Sequence, residues 1–239
     1  MTARHRQPED DVLQLVLARV RLRAGRRSAW LRKLWAEEAP GGGMEIAHAE
    51  IDTHLEDRDA PAAEAAWLAR ADEAADLGRE LSRVEKRLDR DRRSRLAQLE
   101  KTFGLDTLDS DVLHACLALA LDPSLGRVYG YLQDHAGRTY VTEALTGRLF
   151  GHGRASRIRG DSPLVRWALV ERVPGPPGEL DALTIDPYVH RWLQGEEVLD
   201  DALLGVAVIQ PEREPLPGWP LDEAEHAVNR AQATAAACA

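Results

Sequence analysis

The chain of 239 residues has few aromatic side chains, only two cysteines and only three lysines. Aromatic residues make up 5% of the sequence, so the core must be built mostly from Leu, Val and Ala, which favours helices. Cys116 and Cys238 do not make a disulfide framework. These shortages predict a mainly helical protein rather than a small disulfide-rich one.

Several functional motifs are also missing from the sequence. No run of about 18 apolar residues occurs, so we expect no membrane span, and the first residues lack the apolar region of a secretion signal. The cytoplasm is therefore the expected location. There is no G-x-S-x-G, no His-Glu-x-x-His and no Cys-x-x-Cys, so we assign no catalytic, cofactor-binding or metal-binding residue.

Three short helical patterns, separated by turn signals, fill residues 103–149. The first is expected to begin at Asp109 or Ser110, because such side chains cap helix N-termini, and to stop at Asp122 before a proline. The third is expected to open at Thr139. We interpret the aspartates of this region as cap and turn residues.

Strand-like segments follow the three helices. The second half of 163–173 and residues 180–185 are predicted strands, and the Pro- and Gly-rich residues 174–178 form the turn between them. Asp186 and Pro187 are suited to start a short helix. Three helices followed by two strands are typical of a winged helix-turn-helix.

The same residues carry a resemblance to a known family. Residues 103–150, 161–173 and 183–195 resemble the module in front of the ATPase core in one group of bacterial AAA+ ATPases, some of which are encoded beside contractile injection systems. The resemblance covers roughly residues 96–205 and implies a winged-helix variant. An ATPase of this family needs the phosphate loop G-x-x-x-x-G-K-[ST], which is absent here. ATP and Mg²⁺ are thus expected only if an AAA+ core follows.

The sequence before this module predicts long helices. We expect helices at 9–38, 44–58 and 61–102, forming an antiparallel hairpin or bundle. The third carries an apolar seam with the 3,4 spacing of coiled coils. This seam packs either against the other helices of the chain or against a second copy; its residues are Leu77, Leu81, Val84 and Leu88.

The predicted domain organisation has three parts. A helical bundle spans 1–102, a winged-helix-like domain spans 103–205, and a Pro-rich linker with a weak helix spans 206–239. The fold class is therefore mainly α, with a small β wing.

Charge is unevenly distributed between these parts. Residues 1–103 hold 20 basic and 20 acidic residues, whereas 104–239 hold 11 and 20, so the net charge of −9 belongs to the second segment. Proteins that read DNA need a basic surface to meet the phosphates. The acidic module therefore argues against nucleic acid as the partner.

Two basic runs stand in the N-terminal part. Residues 19–33 hold seven positive charges and no acidic residue, and residues 79–95 hold eight basic and four acidic residues. The first run could bind nucleic acid, an anionic lipid surface or an acidic protein, or form a solvated helix face that balances the acidic module; the second is the usual surface of a long exposed helix. We interpret both as solvated helix faces.

A third basic group follows the last of the three short helices. Arg154, Arg157 and Arg159 border the helix that enters the DNA groove in DNA-binding winged helices. That helix would be 139–150 here, with Thr142 and Arg148 able to touch bases and Glu143 repelled by phosphates. We expect a protein contact from this region, with nucleic acid or no specific role as the alternatives.

Together these features favour a non-catalytic interaction or adaptor region of an AAA+ ATPase, or a stand-alone relative. It recruits a protein partner or substrate, or supports assembly, through the arginines at 154, 157 and 159 or the seam 77–88. The alternative is a winged-helix transcription regulator that dimerises through the long helix. A third hypothesis is the front end of a complete ATPase.

Overall fold

A computed structural model of the chain describes residues 8–36, 55–57, 59–153, 158–197, 200–203, 206 and 226. Residues up to Val198 form one unit and residues from Leu199 form another, in which one short 3₁₀ turn is described. All elements below lie in the first unit. They are α1 (Pro8–Ala36), α2 (Pro61–Leu68), α3 (Asp72–Leu88), α4 (Arg95–Phe103), α5 (Thr107–Leu121), α6 (Leu125–Leu132), α7 (Glu143–Phe150), α8 (Pro163–Arg166), β1 (Val170–Val173), β2 (Ala182–Ile185) and α9 (Pro187–Leu193).

Helix α1 is the element on which the other helices pack. It contacts α2 through α7, most extensively α3 and then α5. This is possible because its apolar residues recur every three or four positions and occupy more than one side of the helix. Its fully buried residues include Val16 and Val20, and Trp30 is 3% exposed. The predicted helix at 9–38 is confirmed as far as Ala36, and residues 37 and 38 lie outside the described residues.

Helices α5, α6 and α7 form the three-helix core that the sequence predicts. Helix α5 begins earlier than expected, at Thr107, because the Asp106 side chain accepts a hydrogen bond from the backbone N–H of Asp109. Asp122 ends the helix, as predicted. Asp109 is not a cap but a buried residue whose carboxylate accepts a hydrogen bond from the Ser162 hydroxyl at 2.6 Å.

Strands β1 and β2 pair antiparallel and form the predicted wing. Val170 lies opposite Ile185, and a backbone hydrogen bond of 2.8 Å from Leu183 to Val141 attaches the segment before α7 to the other edge of β2. Asp186 caps α9 as predicted, accepting hydrogen bonds from two backbone N–H groups. The mainly helical fold class with a small β wing is confirmed.

Helix α7 begins at Glu143, four residues later than the predicted start at Thr139. Val141 bridges to β2, so residues 139–141 are committed to the sheet edge rather than to the helix. Thr142 has extended backbone angles, and its hydroxyl accepts a hydrogen bond from the N–H of Leu145 at 3.1 Å. The β-branched Thr142 therefore acts as the N-cap.

The single helix predicted for 61–102 is wrong, because the chain forms α2, α3 and α4 there. The break before α4 has a clear local cause. The Asp91 carboxylate accepts hydrogen bonds from the backbone of Arg93 and Ser94, and the Ser94 hydroxyl caps α4 by accepting from Ala97. The break before α3 lies at Ala71, whose backbone is extended. The tilted packing of Trp67 on Trp30, at 5.7 Å between ring centroids, fixes the direction of α2.

Some predictions fall outside the described residues. Most of the predicted helix at 44–58 and nearly all of the tail at 206–239 belong to this group. The apolar core contains residues of α1 together with residues of α5, α7 and the wing, and the predicted division into domains at residue 102 stays a prediction. None of the helices in the described ranges is both long and apolar enough to cross a membrane.

The centre of the core is predicted to tolerate truncation poorly. Leu117 on α5 has no exposed surface, so Leu117→Ala removes apolar contacts and leaves a cavity, and we expect it to lower the free energy of unfolding by about 2–5 kcal/mol. Leu180→Ala, at a site 42% exposed, is the control and is expected to cost less than about 1 kcal/mol. Urea unfolding of both variants measures the difference; equal losses would contradict this packing.

Candidate partner-binding site

Helix α7 is the helix that faces DNA in a DNA-reading winged helix, and here it is covered. None of its eight residues is exposed: five are buried and three are partly buried. Helix α1 packs on one side of α7 and α5 on another. The ring of Phe150 lies under the guanidinium groups of Arg19 and Arg23, at 4.8 and 5.2 Å from its centroid.

A cluster of charged side chains, the Asp59 clamp, fastens α7 to α1. The Asp59 carboxylate accepts two hydrogen bonds of 2.7 Å from Arg27 and one of 2.8 Å from the indole of Trp30, both residues of α1. Arg148 of α7 donates to the same carboxylate and, at 2.8 Å, to the carbonyl oxygen of Asp59. Glu64 of α2 completes the cluster by accepting from Arg27 at 2.6 Å. Three helices therefore meet at one ion-pair cluster.

The two acids of the clamp have pKa values shifted in opposite directions. Burial raises the pKa of Asp59, but the hydrogen bonds and charges of Arg27, Trp30 and Arg148 outweigh it, and the pKa lies below its usual value. Burial raises the pKa of Glu64, and the negative charge of Asp59 adds to this effect. Asp59 is thus the carboxylate that the surrounding cations stabilise most.

A second ion-pair network joins the middle of α1 to α3 and α5. Arg19 donates to Asp111 at 2.5 Å and to Glu85 at 3.3 Å, and Arg23 reaches the same Glu85 oxygen at 2.5 Å. His152 Nε2 lies 2.7 Å from the other oxygen of Asp111. Asp111 is therefore a buried ion-pair partner and not the cap or turn residue predicted from the sequence.

The comparison with known families agrees with the winged-helix fold. A family model described as "Winged helix domain, variant" matches residues 10–207, which is most of the chain. The chain belongs to this family. No curated protein and no solved structure matches it. The matched region begins within α1, so the variant winged helix domain includes the helix that covers α7.

The residues predicted to touch DNA are placed inside this winged helix domain. Thr142 is 1% exposed, and Arg148 is held by Asp59. Glu143 accepts a hydrogen bond of 2.6 Å from Arg172 on β1. Of the three arginines proposed as a partner contact, Arg159 is exposed and paired with Asp161 at 2.7 Å, while positions 154 and 157 lie outside the described residues.

The apolar seam of the predicted long helix is packed inside the winged helix domain. Leu81 and Val84 are 3% and 8% exposed, and Leu77 and Leu88 are partly buried. Helix α3 lays this seam on α1. Of the two alternatives for the seam, packing against other helices of the same chain describes these contacts, and packing against a second copy does not. The seam is therefore not an exposed surface for a partner.

An aromatic patch beside the wing is defined here as Phe103, which is partly buried, and Val165 and Trp167, which are exposed. Trp167 is 56% and Val165 is 40% exposed, and the Trp167 ring packs on Phe103 at 5.7 Å between centroids. Ala168, the next residue, has a positive φ of 50°, which is unusual for a residue other than glycine. The sequence did not single out this patch, because Trp167 stands in an apolar run that looks like a buried strand.

A cleft of about 470 Å³ lies between α1 and α7, beside the Asp59 clamp. Three arginines line it, but Arg27 and Arg148 are bound to Asp59, and Arg138 donates to Glu179 at 2.7 Å. Their charges are thus neutralised within the chain. In the described ranges no three or more His, Cys, Asp or Glu side chains are grouped so that they could hold a metal ion.

Asp59→Asn is predicted to loosen the clamp in a pH-dependent way. The change leaves the nearly buried Arg27 without its main counter-charge, and we expect a loss of about 3 kcal/mol at neutral pH. The pKa of folded Asp59 is lowered, so its contribution is present above the ordinary value of about 3.9 and is lost as the pH falls through the folded value.

The difference between parent and variant should therefore shrink below about pH 4. Urea unfolding at several pH values checks this. Glu171→Gln, at an exposed position of β1, is the matched control and should have little effect at any pH. A loss for Asp59→Asn that does not depend on pH would contradict the assigned role of the charge.

Proposed function

We propose that this winged helix domain is a non-catalytic protein-interaction module. In this proposal it acts as an adaptor that recruits a protein partner or substrate, or supports assembly, for an AAA+ ATPase of the kind whose N-terminal region it resembles. Chemistry would then belong to the ATPase core, whether in the same polypeptide or in a separate one.

The observation that carries the proposal is the covered helix α7. A winged helix that reads bases inserts this helix into the major groove, which requires exposed side chains along it. Here α1 and the Asp59 clamp occupy that face. A covered groove-reading helix supports a role in which the fold is used as a scaffold for other contacts.

The aromatic patch supports a protein as the partner. Protein interfaces are enriched in Trp, Phe and Arg, and an exposed tryptophan flanked by an arginine has the composition of an interaction hot spot. Arg166 lies over the Trp167 ring at 5.6 Å, so an arginine is present at this position. We infer that the partner presents an apolar side chain to Trp167.

The second candidate function is a DNA-binding regulator that dimerises through the seam 77–88. The family description is compatible with it, since winged helices include many DNA-binding domains. It requires α7 and the seam to become accessible together. The packing of both on α1 weighs against it.

Trp167→Ala tests the proposed partner surface. The parent, the variant and a control, Val173→Ala at an exposed position of β1, are used to capture proteins from cells of the source organism. We expect a partner that the parent and the control retain and Trp167→Ala loses. With that partner purified, the affinity of Trp167→Ala should be weaker by a factor of about ten or more.

A selection of DNA sequences from a random pool provides the complementary experiment. We expect no enriched sequence motif. A motif that the parent selects, together with equal protein capture by the parent and Trp167→Ala, would contradict the proposal in favour of the regulator.

Nucleotide binding is the remaining prediction. The sequence contains no phosphate loop, so the chain as given should neither bind nor hydrolyse ATP in the presence of Mg²⁺. Isothermal titration calorimetry with ATP and Mg²⁺ measures this. A heat of binding that saturates would show a nucleotide site that the motif analysis missed.

A further inference from the structure

The two basic runs of the N-terminal part, residues 19–33 and 79–95, make different contacts in the structure. In the first run, Arg19, Arg21, Arg23 and Arg27 all form ion pairs with acidic residues of the same chain. The second run, on α3 and after it, contributes its inward acid to those pairs, because Glu85 binds Arg19 and Arg23. Of the cations of the second run, Arg95 packs on Trp192 and Arg79 pairs with Asp76, and most of the others face solvent.

The unpaired cations form a stripe that we call the basic ridge. It consists of Arg83, Lys86, Arg87 and Arg90, all exposed, and none of them takes part in an ion pair with another described residue. The ridge lies on the face of α3 opposite Leu81 and Val84, which are buried against α1. It therefore points away from α1.

Folding alone does not account for this arrangement. Arg83 and Arg87 are four residues apart on α3, a spacing at which like charges on a helix repel by a few tenths of a kcal/mol. The helix C-terminus stabilises Lys86 and Arg87 in the last turn. The neighbouring acidic residues do not neutralise the charge of the ridge. Asp91 accepts hydrogen bonds from the backbone of the turn, and only Glu80 and Asp89 are exposed next to the ridge.

We propose that the basic ridge binds the phosphodiester backbone of a nucleic-acid duplex without reading its sequence. All four ridge side chains carry a positive charge. Three of them are arginines, and an arginine can pair with phosphate oxygens through two hydrogen bonds. From Arg83 on α3 to Arg90 in the turn that follows, the ridge spans about 10 Å at the helical rise, which corresponds to roughly three base-pair steps. Contacts to three or four phosphates are therefore within its reach.

The composition of the ridge favours a duplex over other polyanions. A helix that binds a membrane surface inserts an apolar face, but the apolar face of α3 is buried against α1. A protein interface has an apolar centre, and the ridge has none. Single-stranded nucleic acid is held by stacking on aromatic side chains, which the ridge also lacks. A phosphate backbone needs only positive charge.

The negative net charge of residues 104–239 does not by itself exclude this contact. The ridge is on the side of α3 that faces away from α1, whereas Glu85, the acid that α3 contributes to the ion pairs, faces α1. Charges separated by more than the Debye length of about 8–10 Å are largely screened at physiological salt. The ridge thus presents a locally positive field, although the chain as a whole is negative.

The test is binding of the full chain to fluorescently labelled duplexes of about 20 base pairs over a series of salt concentrations. The ridge variant is R83Q/R87Q/R90Q. The matched control is R32Q/R70Q/R127Q, which removes three other exposed arginines that form no ion pair with described residues. All six substitutions are at exposed positions, so thermal unfolding should show all three proteins equally folded.

We expect the parent to bind with a slope of log affinity against log salt of about −3, since each phosphate contact contributes about −0.9. The ridge variant should have a slope of about −1 and at least about tenfold weaker binding at low salt, and the control should match the parent. DNA and RNA duplexes of equal length identify which source of phosphates is preferred.

Three outcomes would overturn the proposal. The first is no duplex binding by the parent at low salt. The second is an equal loss in the ridge variant and the control, which would indicate binding by net charge alone. The third is binding of anionic phospholipid vesicles, polyglutamate or single strands as tightly as the duplex. Because no sequence motif is involved, these results are independent of the protein-partner proposal.

Discussion

The position of α1 over α7 depends on the carboxylate of Asp59. This group receives hydrogen bonds from Arg27 and Trp30 on α1 and from Arg148 on α7, and Arg27 is itself 5% exposed. A nearly buried arginine is costly without a counter-charge, so the clamp and the covered state of α7 require each other. The apolar contacts of α1 supply attraction, and the clamp determines which faces meet.

This constraint explains how the domain distributes its charge. Several arginines of α1 belong to a basic run that resembles a surface patch in the sequence, but in the structure they form ion pairs with acidic residues of α2, α3 and α5. Two exposed surfaces of different character remain: the aromatic patch beside the wing and the basic ridge on α3. The exposed aromatic patch and the exposed basic ridge are therefore the two surfaces on which the two proposals rest.

The sequence predicts those elements whose ends are set by local signals. Helix α5 stops at Asp122, α9 starts at Asp186, and the wing strands flank a Pro- and Gly-rich turn; each of these follows from neighbouring residues. Other features depend on distant contacts. Helix α7 starts late because Val141 pairs with Leu183, and Arg148 meets Asp59 from 89 residues away. A pattern with a period of three or four residues contains no information about such partners.

The most direct test of this account is hydrogen exchange of the backbone amides, measured by mass spectrometry on the parent and on Asp59→Asn. If α1 covers α7, amides of residues 143–150 in the parent should exchange as slowly as those of α5, because both open only with the whole domain. In Asp59→Asn, α7 and the second half of α1 should lose protection together while α5 keeps more of it. Fast exchange of α7 in the parent, or loss of protection in α7 without α1, would contradict the covered helix on which the account is built.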